Sequence, residues 1–282
     1  MKPMSKLSRR LVFGGAGAAV LALSIGVYHL WQARVEASIN LSRKLVGRWA
    51  AGSDTEKFTG VPPMSLTGGV TRVQGRAGQA LLFDDARGRV SVPDNPALAV
   101  RAGQDFSVMA WIKPREAATS FGVMSIVEKR KVGGILTARG YSLHLEYGRL
   151  ACQLTPRPGF QLTWADVAAP KRWPTVWKSR NALAPANRFV SPGPNLHDGR
   201  FHHVALTLQR HSTTGGKLYV DGKVVLTFDP TKLRGSFVNS EPLLIGTHPD
   251  PTLDCAFRGL IEDVRLYSRA LSQAEVETAA SQ

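Results

Sequence analysis

Cysteine is scarce: Cys152 and Cys255 are the only two in 282 residues. That excludes a small disulfide-framed scaffold, and two unpaired, buried thiols are the expected state. Acids are scarce too, 21 against 36 Lys and Arg, which leaves a formal net charge of +15. Such a surplus invites a nucleic-acid reading, but its distribution argues against one. Residues 1–50 hold eight Lys or Arg against the single acid Glu36, and residues 156–195 hold six against the single acid Asp166. The remainder is close to balanced, no nucleic-acid fold pattern accompanies the charge, and no nucleic-acid partner is expected. Internal repeats are absent. The 43% hydrophobic and 20% charged residues describe an ordinary globular chain, long enough for one large all-β domain with a short appendage or for two small domains.

A basic tail, residues 1–10, carries Lys2, Lys6, Arg9 and Arg10 and precedes an uncharged run from Leu11 to Trp31. As a helix, that run spans about 30 Å, the thickness of a bilayer's hydrocarbon. Tyr28 and Trp31 would sit at the far interface, where amphipathic rings are favoured. The best small-residue cleavage site, Val35-Glu36-Ala37, lies beyond His29, Trp31 and Arg34. Residues 11–31 therefore predict a transmembrane anchor, with a cleaved secretory signal as the alternative. Residues 32–44 read as a linker. The body is expected outside the cytoplasm, periplasmic or at the cell surface.

From residue 45 onward, short alternating segments are separated by turn residues. Phe106, Val108, Ala110 and Ile112 share one face, as do Tyr141, Leu143 and Leu145; Leu150, Cys152 and Leu154; and Val204, Leu206 and Leu208. Leu218–Leu226 reads as a hairpin around Asp221-Gly222, a pair suited to positive φ. Leu260–Tyr267 is the last predicted strand. Ser272 and Glu275 form a capping box that opens a short C-terminal helix to about Ala280. Residues 156–195 break the rhythm with seven prolines and read as a long insertion between two strands.

Several of these segments, taken in order, resemble the LamG-like jelly-roll family of the concanavalin A-like lectin/glucanase superfamily. They are Gly78–Asp84 with Val90–Pro93, which resembles the family's first strand pair; Phe106-Ser-Val-Met-Ala-Trp-Ile-Lys-Pro114; Asp198-Gly-Arg-Phe-His-His-Val-Ala205; Leu218-Tyr-Val-Asp-Gly222; and Phe257–Ser272. The resemblance covers about residues 45–280 apart from the insertion, within a sandwich domain expected over 45–282. It implies an all-β, two-sheet antiparallel jelly-roll sandwich, here preceded by the transmembrane helix and closed by the short C-terminal helix. It also implies a calcium ion at the rim, for which Asp84 and Asp263 are the nominal ligands.

The fold hosts lectins, adhesion modules and glycosidases, so activity must be argued from sites. The E-x-D-x-x-E strand of the glucanase branch has no counterpart here. The acidic pair Glu262-Asp263 should point to opposite faces, as neighbours on a strand do. No catalytic residues are expected. His197, His202 and His203 cluster in sequence, but His202 and His203 should face opposite ways, which suits packing better than zinc. The insertion is the most individual feature: Trp164, Trp173 and Trp177 alternate with Arg172, Lys178 and Arg180. Such rings stack on sugars and such cations pair with carboxylate or phosphate, although the rings could instead cap the sandwich edge. The expected function is a non-catalytic, membrane-tethered binding module for a carbohydrate or another surface macromolecule. A structural envelope role and a glycoside hydrolase with a non-standard carboxylate pair are the alternatives.

Overall fold

The computed structural model describes residues 27–28, 31–32, 35–52, 61–85, 87–115, 119–132, 138–156 and 187–282. Within them the alternating segments become strands of two antiparallel sheets packed face to face. The first sheet is built around β6 (Phe106–Pro114) and β15 (Gly259–Tyr267). On the β6 side follow β11 (His202–Leu208), β12 (Gly216–Val220) and β13 (Lys223–Phe228); on the β15 side follow β4 (Gln79–Phe83) and β3 (Thr71–Gln74). An eighth strand, β1 (Leu45–Trp49), pairs with β15. The second sheet runs in the order β10 (Arg188–Val190), β9 (Arg149–Thr155), β8 (Ala138–Glu146), β7 (Val123–Val132), β14 (Leu243–Ile245), β5 (Arg89–Val92) and β2 (Ser65–Thr67).

One expectation fails at the level of pairing. Gly78–Asp84 and Val90–Pro93 do form strands, β4 and β5, but they are not partners. β4 pairs with β15 in the first sheet and β5 with β14 in the second. The few residues after Asp84 cross the sandwich edge, which a sequence pattern of two adjacent strands does not reveal.

The alternation fills the space between the sheets. Phe106, Val108, Ala110 and Ile112 enter the same core as Tyr141, Leu143, Leu145, Cys152 and Leu206. Phe106 meets Tyr141 across the sandwich with ring centroids 4.9 Å apart and Phe237 at 6.0 Å. Both cysteines are free and buried, as composition suggested. A second, smaller core lies on the outer side of the first sheet. There the C-terminal helix Gln273–Ser281 lays Val276 and Ala279 onto Met109, Ala205, Tyr219 and Tyr267, with Leu41 from the N-terminal side. Its capping box is formed: the Ser272 hydroxyl accepts from the Glu275 N–H, and the Glu275 carboxylate accepts from the Ser272 N–H. No helix among the described residues is long and apolar enough to cross a membrane. Of the expected anchor 11–31, only residues 27, 28 and 31 are described, so that span lies outside the described residues.

Candidate functional site

Among the described residues, the outer side of the second sheet carries a row of closely paired polar and charged side chains. Its central strand β7 contains a bulge between Ser125 and Val127, so that Ile126 and Val127 both enter the core while Ser125, Glu128 and Arg130 face outward. Neighbouring strands add Ser142, His144 and Glu146 from β8 and Gln153 from β9. All but the half-buried Gln153 are nearly excluded from solvent, Glu128 at 1% and His144 at 4% exposure. Burial of that kind demands pairing, and pairing is found. Glu128 accepts from Ser125 at 2.9 Å and from Arg130 at 2.6 and 3.1 Å. Arg130 reaches on to Gln153, Arg188 of β10 pairs with Glu146, and Ser142 meets His144 at 3.2 Å. Burial, reinforced by the charges of Arg130 and Arg188, holds the His144 imidazole well below its ordinary value, so it is neutral near pH 7. Among the described residues, Oε2 of Glu146 and Oγ1 of Thr155, at opposite ends of the row, have no hydrogen-bond partner.

Glu128 stands opposite Ser142, four residues along β8 from Glu146, so the two backbones are roughly 14 Å apart. Both carboxylates pair with arginine, Glu128 with Arg130 and Glu146 with Arg188.

The insertion has its stem at the edge of the same sheet. It leaves after Thr155 of β9 and returns into β10, which pairs with β9 from Arg188↔Gln153 to Val190↔Ala151. The Leu154 N–H donates to the Asn187 carbonyl at 2.9 Å, closing the stem. Trp164, Arg172, Trp173, Trp177, Lys178 and Arg180 lie outside the described residues.

The nominal calcium ligands are not brought together. Asp84 pairs with Arg115 at 2.9 Å near the end of β4. Asp263 lies roughly 15 Å further along the paired β15, since Phe83 stands opposite Gly259. One calcium at 2.3–2.6 Å from each is impossible at that separation. Asp263 instead accepts from Arg48 at 2.5 Å and from Arg265. Burial pushes its carboxyl up, but the two guanidinium groups outweigh that and hold it below the usual carboxylate range. The pair Glu262-Asp263 also departs from expectation. A bulge between Glu262 and Arg265 sends both side chains to the outer side, into a cleft of about 400 Å³ that Trp111 and Arg76 also line. Glu262 there accepts the backbone N–H groups of Arg76 and Ala77, and the Arg76 guanidinium lies 3.8 Å over the Trp111 ring. Among the described residues, no group of three or more His, Cys, Asp and Glu side chains could hold a metal ion.

The histidines divide as expected. His203 is buried against Trp111, ring centroids 5.3 Å apart, and burial, with the charge of Arg265, lowers it to about 4. His202 bridges Asp221 at 2.8 Å and Asp198 at 3.0 Å. The Asp221 contact, opposed by burial and aided by Asp198, raises the His202 imidazole above its ordinary 6.5. The clamp joins the 198–200 loop to the β12–β13 turn, where Asp221 and Gly222 take positive φ. A raised value means the folded state binds the proton more tightly. The stability lost in a His202→Gln variant should therefore be full below about pH 6.5 and fade as pH rises through the raised value. Urea unfolding of both proteins from about pH 6 to pH 9 measures this, and a pH-independent difference would contradict the clamp.

Residues 84–277 match the Laminin_G_3 model of the concanavalin A-like lectin/glucanases superfamily. The chain belongs to this family. The laminin G-like sandwich is similar in structure to the binding domain of Paraclostridial Mosquitocidal Protein 1, at 17% identity and a TM-score of 0.61, over 84% of this chain and 52% of that one. It is similar to the botulinum neurotoxin serotype G binding domain at 11% identity and a TM-score of 0.57, over 84% and 50%. A third likeness is to domain 4 of AbnA, a GH43 extracellular arabinanase from Geobacillus stearothermophilus in complex with arabinotriose, at 17% identity and a TM-score of 0.52, over 85% and 98%. The chain spans about half the length of the two toxin domains it matches. At these identities the likenesses show the fold. No curated protein matches the chain. The alternation along β8 sets Ser142, His144 and Glu146 on the side opposite Tyr141, Leu143 and Leu145; that this side is buried, and that β7 adds Ser125, Glu128 and Arg130 to it, comes from the fold.

Proposed function

We propose that the protein is a non-catalytic binding module, tethered to a membrane with its body outside the cytoplasm, that recognises a carbohydrate or another surface macromolecule through the 156–195 insertion. The carrying observation is the stem. A segment with three tryptophans and a net positive charge leaves and re-enters the sandwich through two paired strands, and the outer face beneath that stem is locked by Glu128–Arg130–Gln153 and Arg188–Glu146. A rigid mount lowers the ordering cost of binding. The similar toxin domains are described as binding domains and the arabinanase domain was solved with arabinotriose, which supports a binding role. The pairing of Glu128 with Arg130 and of Glu146 with Arg188 speaks against the hydrolase alternative, which needs a carboxyl free to donate a proton.

Acidic polysaccharides test this reading. Exposed cation pairs are screened by salt and ring stacking is not, so binding should weaken without vanishing as ionic strength rises. Trp173→Ala with Trp177→Ala should remove the salt-resistant part, and Arg172→Ala with Lys178→Ala the salt-sensitive part. Absence of binding at low salt across a broad panel of acidic glycans and anionic lipids would overturn the proposal.

A further inference from the structure

The cleft of about 400 Å³ outside the first sheet stands apart from the insertion, whose stem belongs to the second sheet. Its charged side chains divide by what they already hold. Both oxygens of Asp263 accept from Arg48 and Arg265, and Arg265 also donates to the Gln282 side-chain carbonyl at 3.3 Å. The two oxygens of Glu262 accept the Arg76 and Ala77 N–H groups at 2.8 and 3.1 Å. That grip fixes the turn between β3 and β4, and Gly75 permits it, because a Cβ there would run into the Glu262 carboxylate. The Arg76 guanidinium is different. It lies 3.8 Å over the Trp111 ring, is exposed, and has no hydrogen-bond or ion-pair partner among the described residues. His203 meets the same ring edge to face at 5.3 Å. The cleft thus sets three guanidinium groups against two carboxylates whose oxygens are all occupied. One of the three, Arg76, is a planar fork of N–H donors held in place with nothing to bond.

We propose that this cleft binds a sugar acid, with the ligand's carboxylate against the Arg76 guanidinium. The single uncompensated charge suits a monoanion, and a carboxylate matches the guanidinium fork with two parallel N–H···O bonds. The other walls suit a hydroxylated ring. Ser38, Ser42 and Gln79 offer hydroxyl and amide groups, and Leu41 and Leu45 offer apolar contact. The volume is that of a small-molecule site. A guanidinium already stacked on an indole loses little freedom on meeting its ligand.

The full chain in neutral detergent is titrated with glucuronate, glucose, acetate and inorganic phosphate, followed by ligand-observed NMR. Glucuronate should bind at millimolar concentrations, and the other three at least about tenfold more weakly. Arg76→Ala should weaken glucuronate by about ten- to a hundredfold. Arg76→Lys keeps the charge and loses the fork, so its affinity should fall between the two. Gly78→Phe is a second variant that leaves Arg76 intact. A Cβ at Gly78 meets nothing within 4 Å, so the ring enters the cleft wall without a clash and glucuronate binding should fall. Trp173→Ala with Trp177→Ala should leave it unchanged. Glucuronate binding lost in that pair and kept in Arg76→Ala would place the ligand on the insertion and overturn the cleft site. Acetate or phosphate binding as tightly as glucuronate would reduce the site to a bare anion contact and overturn the sugar-acid assignment. Absence of glucuronate binding at millimolar concentrations would overturn the proposal and leave the reading of the insertion standing.

Discussion

Glu128→Ala should unfold with a loss of about 3–5 kcal/mol, one of the largest effects available on this chain. The carboxylate is 1% exposed and holds Arg130 through both of its oxygens. Its removal leaves a guanidinium that is 7% exposed with Gln153 as its remaining side-chain partner among the described residues. The loss measures that uncompensated charge, so removing both members should restore most of the stability. Glu128→Leu combined with Arg130→Met is expected within about 1 kcal/mol of the parent. Chemical denaturation of the two variants decides the matter. A single variant costing less than about 1 kcal/mol would mean that water reaches this face freely, and the rigid mount under the insertion would lose its basis.

Gly140→Ala should cost about 3 kcal/mol or more. Gly140 has φ +131, a backbone conformation open almost solely to glycine, and a Cβ added there would lie 1.9 Å from the Lys129 carbonyl oxygen and 2.8 Å from Asn239 Nδ2. That carbonyl also accepts from Asn239 Nδ2 at 3.1 Å, so neither neighbour can retreat without losing a bond. The residue stands opposite Thr155, the last residue of β9 before the insertion. Thermal unfolding should show the loss. A variant as stable as the parent would show that β7 and β8 are not held this closely at the root of the insertion.

Strands were legible where apolar residues recur at every second position, although their other side is buried too: Met109 of β6, Ala205 of β11 and Tyr267 of β15 join the small core outside the first sheet, and Ser142, His144 and Glu146 of β8 are buried polar groups. β6, β8, β9, β11 and β15 were read from alternation alone, and Ser272 with Glu275 fixed the start of the C-terminal helix. β7 was not read, and its chemistry explains why. Glu128-Lys129-Arg130-Lys131 looks like a solvated turn, yet it runs through the middle of the second sheet. Lys129 is 2% exposed and escapes the low dielectric by extending to Asp94 and to the carbonyls of Asn239 and Glu241. No residue within several positions of Lys129 announces those partners. The bulge at Asp263 was equally hidden. Period-two reasoning puts Glu262 and Asp263 on opposite sides, and only the pairing of Glu262 with Trp111 and Arg265 with Met109 reveals the extra residue. Of the site candidates, the insertion stood out by composition and its stem had to wait for the fold, whereas the calcium pair failed because position along a paired strand cannot be judged from residue type.

Among the described residues β1 has one partner, β15, and lies off the main order of its sheet. Tension on a tether would first meet Leu41 in the small core and the bonds from Arg269 to the Asn40 and Arg43 carbonyls, and would then run along the β1–β15 seam. Four backbone pairings, the Arg48–Asp263 ion pair and the buried ring of Trp49 resist it. If the seam parts, β15 still has β6 on one flank and β4 on the other, so the load would spend itself on a detachable edge before reaching the strands that carry the core. The chain thereby gains slack of about 3.3 Å for each residue released, a mechanical fuse placed between the pull and the part of the molecule proposed to hold its ligand.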